Sequence, residues 1–94
     1  AMNNLGALLF EAGRTGEAET WWRKAANAGN TAAMNNLGNL LREAGRTGEA
    51  EEWLRRAADA GYTAAMNNLG VLLEEAGRAG EAEQWFRRAR EAEE

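Results

Sequence analysis

The hexapeptide Ala-Met-Asn-Asn-Leu-Gly occurs at Ala1–Gly6, at Ala33–Gly38 and at Ala65–Gly70. The chain is therefore one 32-residue unit written three times, with copies at 1–32, 33–64 and 65–94. Over the thirty positions that all copies share, twenty are identical in each. A unit of that length is one supersecondary element, too small to enclose an interior alone, so copies must bury their apolar faces against one another. The period predicts one domain over 1–94, built as a solenoid. Recent duplication and deliberate consensus construction would both account for so close a match.

The spacing within the unit predicts helices only. In the middle copy, Ala33, Met34, Leu37, Leu40, Leu41 and Ala44 follow the three-and-four rhythm of one buried helical face. A first helix, A, is expected over about 32–44, with Thr31 as its N-cap and Gly45 as the left-handed residue that ends it. Gly45-Arg46-Thr47-Gly48 is a tight connection that folds the next helix back antiparallel. Helix B is expected over about 49–60. Glu49, Glu51 and Glu52 open it and Arg55 and Arg56 come later, the order that complements the helix dipole. Its stripe is Ala50, Trp53, Leu54 and Ala57, and Gly61 closes it. The fold class is all-α, three antiparallel helical hairpins in a superhelix.

Composition narrows the chemistry. The chain has no cysteine, histidine or proline. A disulfide framework, a thiolate metal site and the commonest general base are thereby excluded. A net charge of −4 gives no general attraction to nucleic acid or anionic lipid. No apolar run reaches the ~20 residues that cross a bilayer, and no leader pattern opens the chain. A cytoplasmic protein with no membrane partner is the expectation.

Glycine in a helix interior costs about 1 kcal/mol relative to alanine, yet Gly6, Gly38 and Gly70 hold that place in every copy. A close approach of helix B, with small Ala50 opposite Gly38, is the expected reason. The ends depart from the pattern. Arg90 replaces the alanine of Ala26 and Ala58, and Glu91–Glu94 add charge, a partial solubilising cap. Trp85 and Phe86 repeat the internal apolar pattern with no fourth hairpin to cover them. Trp21, Trp53 and Trp85 recur at the period, as do Trp22, Leu54 and Phe86, which suits packing better than a stacking site.

Leu37-Gly38, Leu41, Ala50, Leu54 and Ala57 resemble the tetratricopeptide pattern L-G-x2-Y-x8-A-x3-F-x2-A. Leu5-Gly6, Leu9, Ala18, Trp22 and Ala25 repeat it, as do Leu69-Gly70, Leu73, Ala82, Phe86 and Ala89. Leucine stands where the pattern prefers tyrosine, and the period is 32 rather than 34. The junction from Trp53 through Arg56-Ala57-Ala58, Gly61 and Ala65 to Leu69-Gly70 resembles that of Sel-one-like repeats. The resemblance implies a right-handed α-solenoid that binds proteins or peptides with helix A lining its concave face. Some relatives grip chaperone C-termini with lysines on helix A. Here those places carry Asn3, Asn35, Ala64 and Asn68, so that clamp is absent.

With Met34, Leu37 and Leu41 turned inward, the groove residues are Asn35, Asn39 and Arg42 in the middle copy. Their equivalents are Asn3, Ala7 and Phe10 in the first and Asn67, Val71 and Glu74 in the third. The two outer rows are among the few places where the copies differ, which suits either tuning toward a ligand or free drift of exposed positions. The Asn3, Asn35, Asn67 row offers donors and acceptors to a peptide backbone, or hydrogen bonds between repeats. Asn4, Asn36 and Asn68 turn toward the junction and are expected to be structural. The basic pairs Arg23-Lys24, Arg55-Arg56 and Arg87-Arg88 suit surface ion pairs with residues four places earlier, not a nucleic-acid track. Paired carboxylates Glu17/Glu19 and Glu49/Glu51 lie in exposed first turns where nothing would separate their pKa values.

The chain therefore reads as a non-enzymatic protein- or peptide-binding scaffold that uses its helix-A groove, without cofactor or metal. The alternative is a self-associating structural module, or an engineered array without a natural ligand, that forms homo-oligomers through incompletely capped ends.

Overall fold

The computed structural model describes residues 2–93, with side chains from Gly6 onward. It has six helices and, among the described residues, no strand. They are α1 (Met2–Glu11), α2 (Thr15–Asn27), α3 (Thr31–Glu43), α4 (Thr47–Asp59), α5 (Thr63–Glu75) and α6 (Ala79–Glu93). Odd-numbered helices are the A helices and even-numbered ones the B helices. Each A helix packs most extensively on its own B helix, α2 and α4 then pack on the A helix that follows, and α3 also lies against α5. No described helix is long and apolar enough to cross a membrane.

Every connection is three residues long with a glycine in the middle. Gly13, Gly29, Gly45, Gly61 and Gly77 have φ between 78° and 95°, a region closed to most side chains. At the first turnaround of the middle copy, Gly45 N donates to Arg42 O at 3.0 Å and Arg46 N to Leu41 O at 2.9 Å. This nested pair closes the helix end, and its last residue serves at once as N-cap of the next helix. That sharing corrects two boundaries. Helix B starts at Thr47, not Glu49, and the cap of α3 is Asn30, whose Oδ1 accepts from Ala33 N at 2.9 Å, not Thr31.

The core is one continuous cluster running through all three hairpins. Leu37, Leu41, Leu54, Leu69, Leu72 and Leu73 are its largest fully buried members. The helix-A glycines are explained by what lies over them. A Cβ on Gly38 would come within 2.6 Å of Leu54 Cγ and 3.4 Å of Ala50 O, and one on Gly70 within 2.6 Å of Phe86. On Gly6 it would strike the indole of Trp22. The contact is thus with the large residue of helix B, and Ala50 contributes only its backbone.

The three copies of one leucine show what the stacking does. Leu40 is 6% exposed and Leu72 is 1% exposed, each on an A helix that follows another hairpin, whereas Leu8 is 64% exposed. Trp85 departs from expectation: it is buried, with the Arg88 guanidinium 4.6 Å from its ring centroid, and Phe86 is half-buried. Among the described residues, the exposed large apolar side chains are Leu8 and Phe10 instead.

Successive B helices are tied by charge at the same 32-residue step. Arg23 bonds Glu19 (2.9 Å) on its own helix and Glu49 (3.1 Å) on the next, while Arg46, from the connection before α4, reaches back to Glu19 (3.1 Å) and also pairs with Glu49. One repeat later Arg55, Glu51, Arg78 and Glu81 form the same quartet. Arg23 foremost, then Arg46, holds the Glu19 carboxyl below its ordinary pKa, and Arg46 foremost does so for Glu49. Arg55 and Arg78 act likewise on Glu51, and Arg78 on Glu81. The second basic residue of each pair takes a different role: Lys24, Arg56 and Arg88 lie 4.6–4.7 Å from the ring centroids of Trp21, Trp53 and Trp85. Arg56 therefore stacks on Trp53 rather than pairing with Glu52.

Candidate functional site

A helix places residues three and four apart on one face, so each A helix presents a row that the stack sets beside the next. Because α3 lies against α5 while the B helices are bridged by long charged side chains, the stack closes toward its A side. Asn68, the sixth residue of α5, faces back toward α3: its Nδ2 donates to Asn35 Oδ1 at 2.8 Å.

That bond moves Asn35 out of the accessible row. Asn35 is 7% exposed and spends its oxygen between repeats, the structural alternative for the amide row. Asn67, its counterpart in the third copy, is exposed, and Asn3 lies outside the described side chains. Asn68 sits at the junction, as the sequence suggested.

The two outer rows are placed differently. Ala7, Asn39 and Val71 are half-buried, Phe10 and Glu74 are exposed, and Arg42 is half-buried. Arg42 crosses from α3 toward α5, with Nη1 3.6 Å from Glu75 Oε1. Among the described residues, two buried polar atoms on this side have no hydrogen-bond partner, Asn39 Oδ1 and Arg42 Nε. Such atoms are uncommon in folded proteins and cost about 1–3 kcal/mol when left unpaired.

Between α1 and α3 the A side opens into a cleft of about 280 Å³. Ala7, Phe10, Trp22 and Leu40 give it apolar walls, Asn36 and Asn39 amides, and Glu11 and Glu43 an acidic mouth. Phe10 and Trp22 pack with ring centroids 5.7 Å apart, tilted by 39°. A second depression adjoins it and shares Phe10, Leu40 and Glu43. The structure thus gathers three of the expected residues, Ala7, Phe10 and Asn39, around one cavity and sets Arg42 in the next step of the array. Asn67, Val71 and Glu74 lie a repeat further on, outside the lining of either depression.

Sequence reasoning missed Glu11, Asn36, Leu40 and Glu43. Each is identical in all copies, so nothing in their identity separates a cleft wall from a packing position. The signal that finds them is geometric: residue ten of one copy faces residue eleven of the next, as Arg42 faces Glu75.

A family model described as Tetratricopeptide repeat matches residues 1–62 and again residues 31–94, so the two matches together span the chain. No curated protein matches it.

Proposed function

Because the chain belongs to the tetratricopeptide repeat family, whose non-catalytic helical repeats generally mediate protein–protein interaction, we infer that it holds a protein segment along its A-helix side. The observation that carries this reading is the coincidence of sequence difference and unmet bonding. Residues that vary between copies, at Ala7, Asn39 and Val71 and at Phe10, Arg42 and Glu74, lie on the side where Asn39 Oδ1 and Arg42 Nε are buried without partners. Turned outward by a change of rotamer, those two side chains would meet the backbone donors and acceptors of a peptide laid there.

The test begins with linear peptides selected from a display library on the full chain. The double substitution N39A/R42A should weaken their binding at least about tenfold with little change in melting. Selected peptides that bind the double variant as well as the parent would rule the A side out.

The second reading, self-association through the ends, has its own observation. Glu83 and Arg87 align with the quartet halves Glu19/Arg23 and Glu51/Arg55, and neither forms an ion pair among the described residues. Arg14 and Glu17, paired with each other at 2.7 Å, align with the complementary halves Arg46/Glu49 and Arg78/Glu81. A second copy stacked head to tail would complete a third quartet and cover Leu8. Arg90 opposes this, standing where Ala26 and Ala58 are buried, because an unpaired cation is costly to bury. In sedimentation over a concentration series, R90A should strengthen association and L8E abolish it. An R90A variant that stays monomeric at millimolar concentration would refute this reading.

A further inference from the structure

We propose that the cleft between α1 and α3 receives a cationic side chain, arginine or lysine, of the bound segment, with its charge against Glu43 and its stem along Phe10. This rests on the A side being the binding face and adds the chemistry of one subsite. The array itself supplies the template. One step along, Arg42 projects from α3 and its guanidinium lies 3.6 Å from Glu75 of α5. The aligned pair in the first step is Phe10 and Glu43. Phenylalanine cannot answer the carboxylate, so Glu43 is left without a hydrogen bond or ion pair among the described residues, beside a cavity that Phe10 borders.

The unmet groups of the cleft have one polarity. Glu43 and Glu11 bring carboxylates to its mouth, Asn39 Oδ1 is a buried acceptor without a donor, and no lysine or arginine lines it. What complements two exposed carboxylates is a group rich in N–H donors carrying positive charge. What complements Ala7, Phe10, Trp22 and Leu40 is an apolar stem. Arginine and lysine have both, and a guanidinium also stacks on an aromatic face. This chain sets a cation over an aromatic ring at three places elsewhere, the Lys24 ammonium at Trp21 and the guanidinium groups of Arg56 and Arg88 at Trp53 and Trp85.

The probe is an acetylated, amidated pentapeptide with a central arginine between leucines, and its control carries citrulline, which keeps the shape and loses the charge. In a heteronuclear NMR titration of the full chain, the arginine peptide should shift the Asn39 side-chain amide and the Trp22 indole resonances. It should bind about tenfold tighter than the citrulline peptide. E43Q should erase that difference. F10R should erase it as well, because it recreates internally the pair that Arg42 makes with Glu75, and circular dichroism should show both variants folded. Equal affinity of the two peptides at those resonances overturns the cationic subsite while leaving the A-side reading intact. Absence of any shift there with either peptide overturns both.

Discussion

Leu72→Glu should destabilise the protein by at least about 3 kcal/mol, whereas Leu8→Glu at the aligned position should change stability by no more than about 0.5 kcal/mol. The side chains and helix positions are the same, so intrinsic helix propensity cancels. What differs is the preceding hairpin: Leu72 is covered by one and Leu8 is not. A glutamate at position 72 would carry an unpaired charge into an apolar interface, where desolvation outweighs anything its neighbours return. Leu40→Glu should behave like Leu72→Glu. Urea titration followed by far-ultraviolet circular dichroism compares all three. Equal losses at positions 8 and 72 would mean that stacking between repeats is not what buries this leucine.

Gly38→Ala is the second large effect, and its sign runs against propensity. Alanine should gain about 1 kcal/mol in a helix interior. Here the added methyl would stand 2.6 Å from Leu54 Cγ, and Leu54 is completely buried, so it has no solvent into which to swing. Overpacking of this kind costs about 1–3 kcal/mol, and the net change should be a loss. Leu54→Ala alone leaves a cavity and costs about 2–5 kcal/mol. Because the methyl on residue 38 would enter the space Leu54 leaves, the double variant should lose less than the sum of the two by more than about 1 kcal/mol. Strict additivity in thermal and urea unfolding would show that the two positions do not press on each other.

The period and the apolar rhythm make the architecture legible in the sequence: six helices in three hairpins follow from Met34, Leu37, Leu41 and their copies, and Gly45 and Gly61 mark helix ends there as they do in the structure. The helix boundaries differ from the expected ones by one or two residues because Arg46 and Asn30 each serve two helices at once, a sharing that propensity does not encode. The glycine contacts were half legible. The need for a close approach follows from the cost of Gly38, but which residue approaches depends on side-chain direction, and it is Leu54 rather than Ala50. The candidate site was least legible. Heptad-like reasoning on one helix finds the rows that vary, Phe10 and Asn39 among them. It cannot see that Asn35 is sequestered by Asn68 or that Phe10 faces Glu43, since both depend on the offset between neighbouring A helices. The charge quartets escaped for the same reason, with Arg46 and Arg78 reaching back twenty-seven residues to Glu19 and Glu51.

Phe10, Arg42 and Glu74 occupy one position in three consecutive A helices, an aromatic, a base and an acid in a fixed order. Neighbouring packed helices sit about 8–10 Å apart, and an extended strand advances about 3.3 Å per residue. A guest lying across the A helices would therefore meet each of these positions with every third residue, like teeth engaging a rack. Length and charge order would then be measured together: a guest that meets Arg42 with an acid and, three residues to either side, the Phe10–Glu43 step and Glu74 with cations would fit, and one carrying the opposite charges at those residues would be refused.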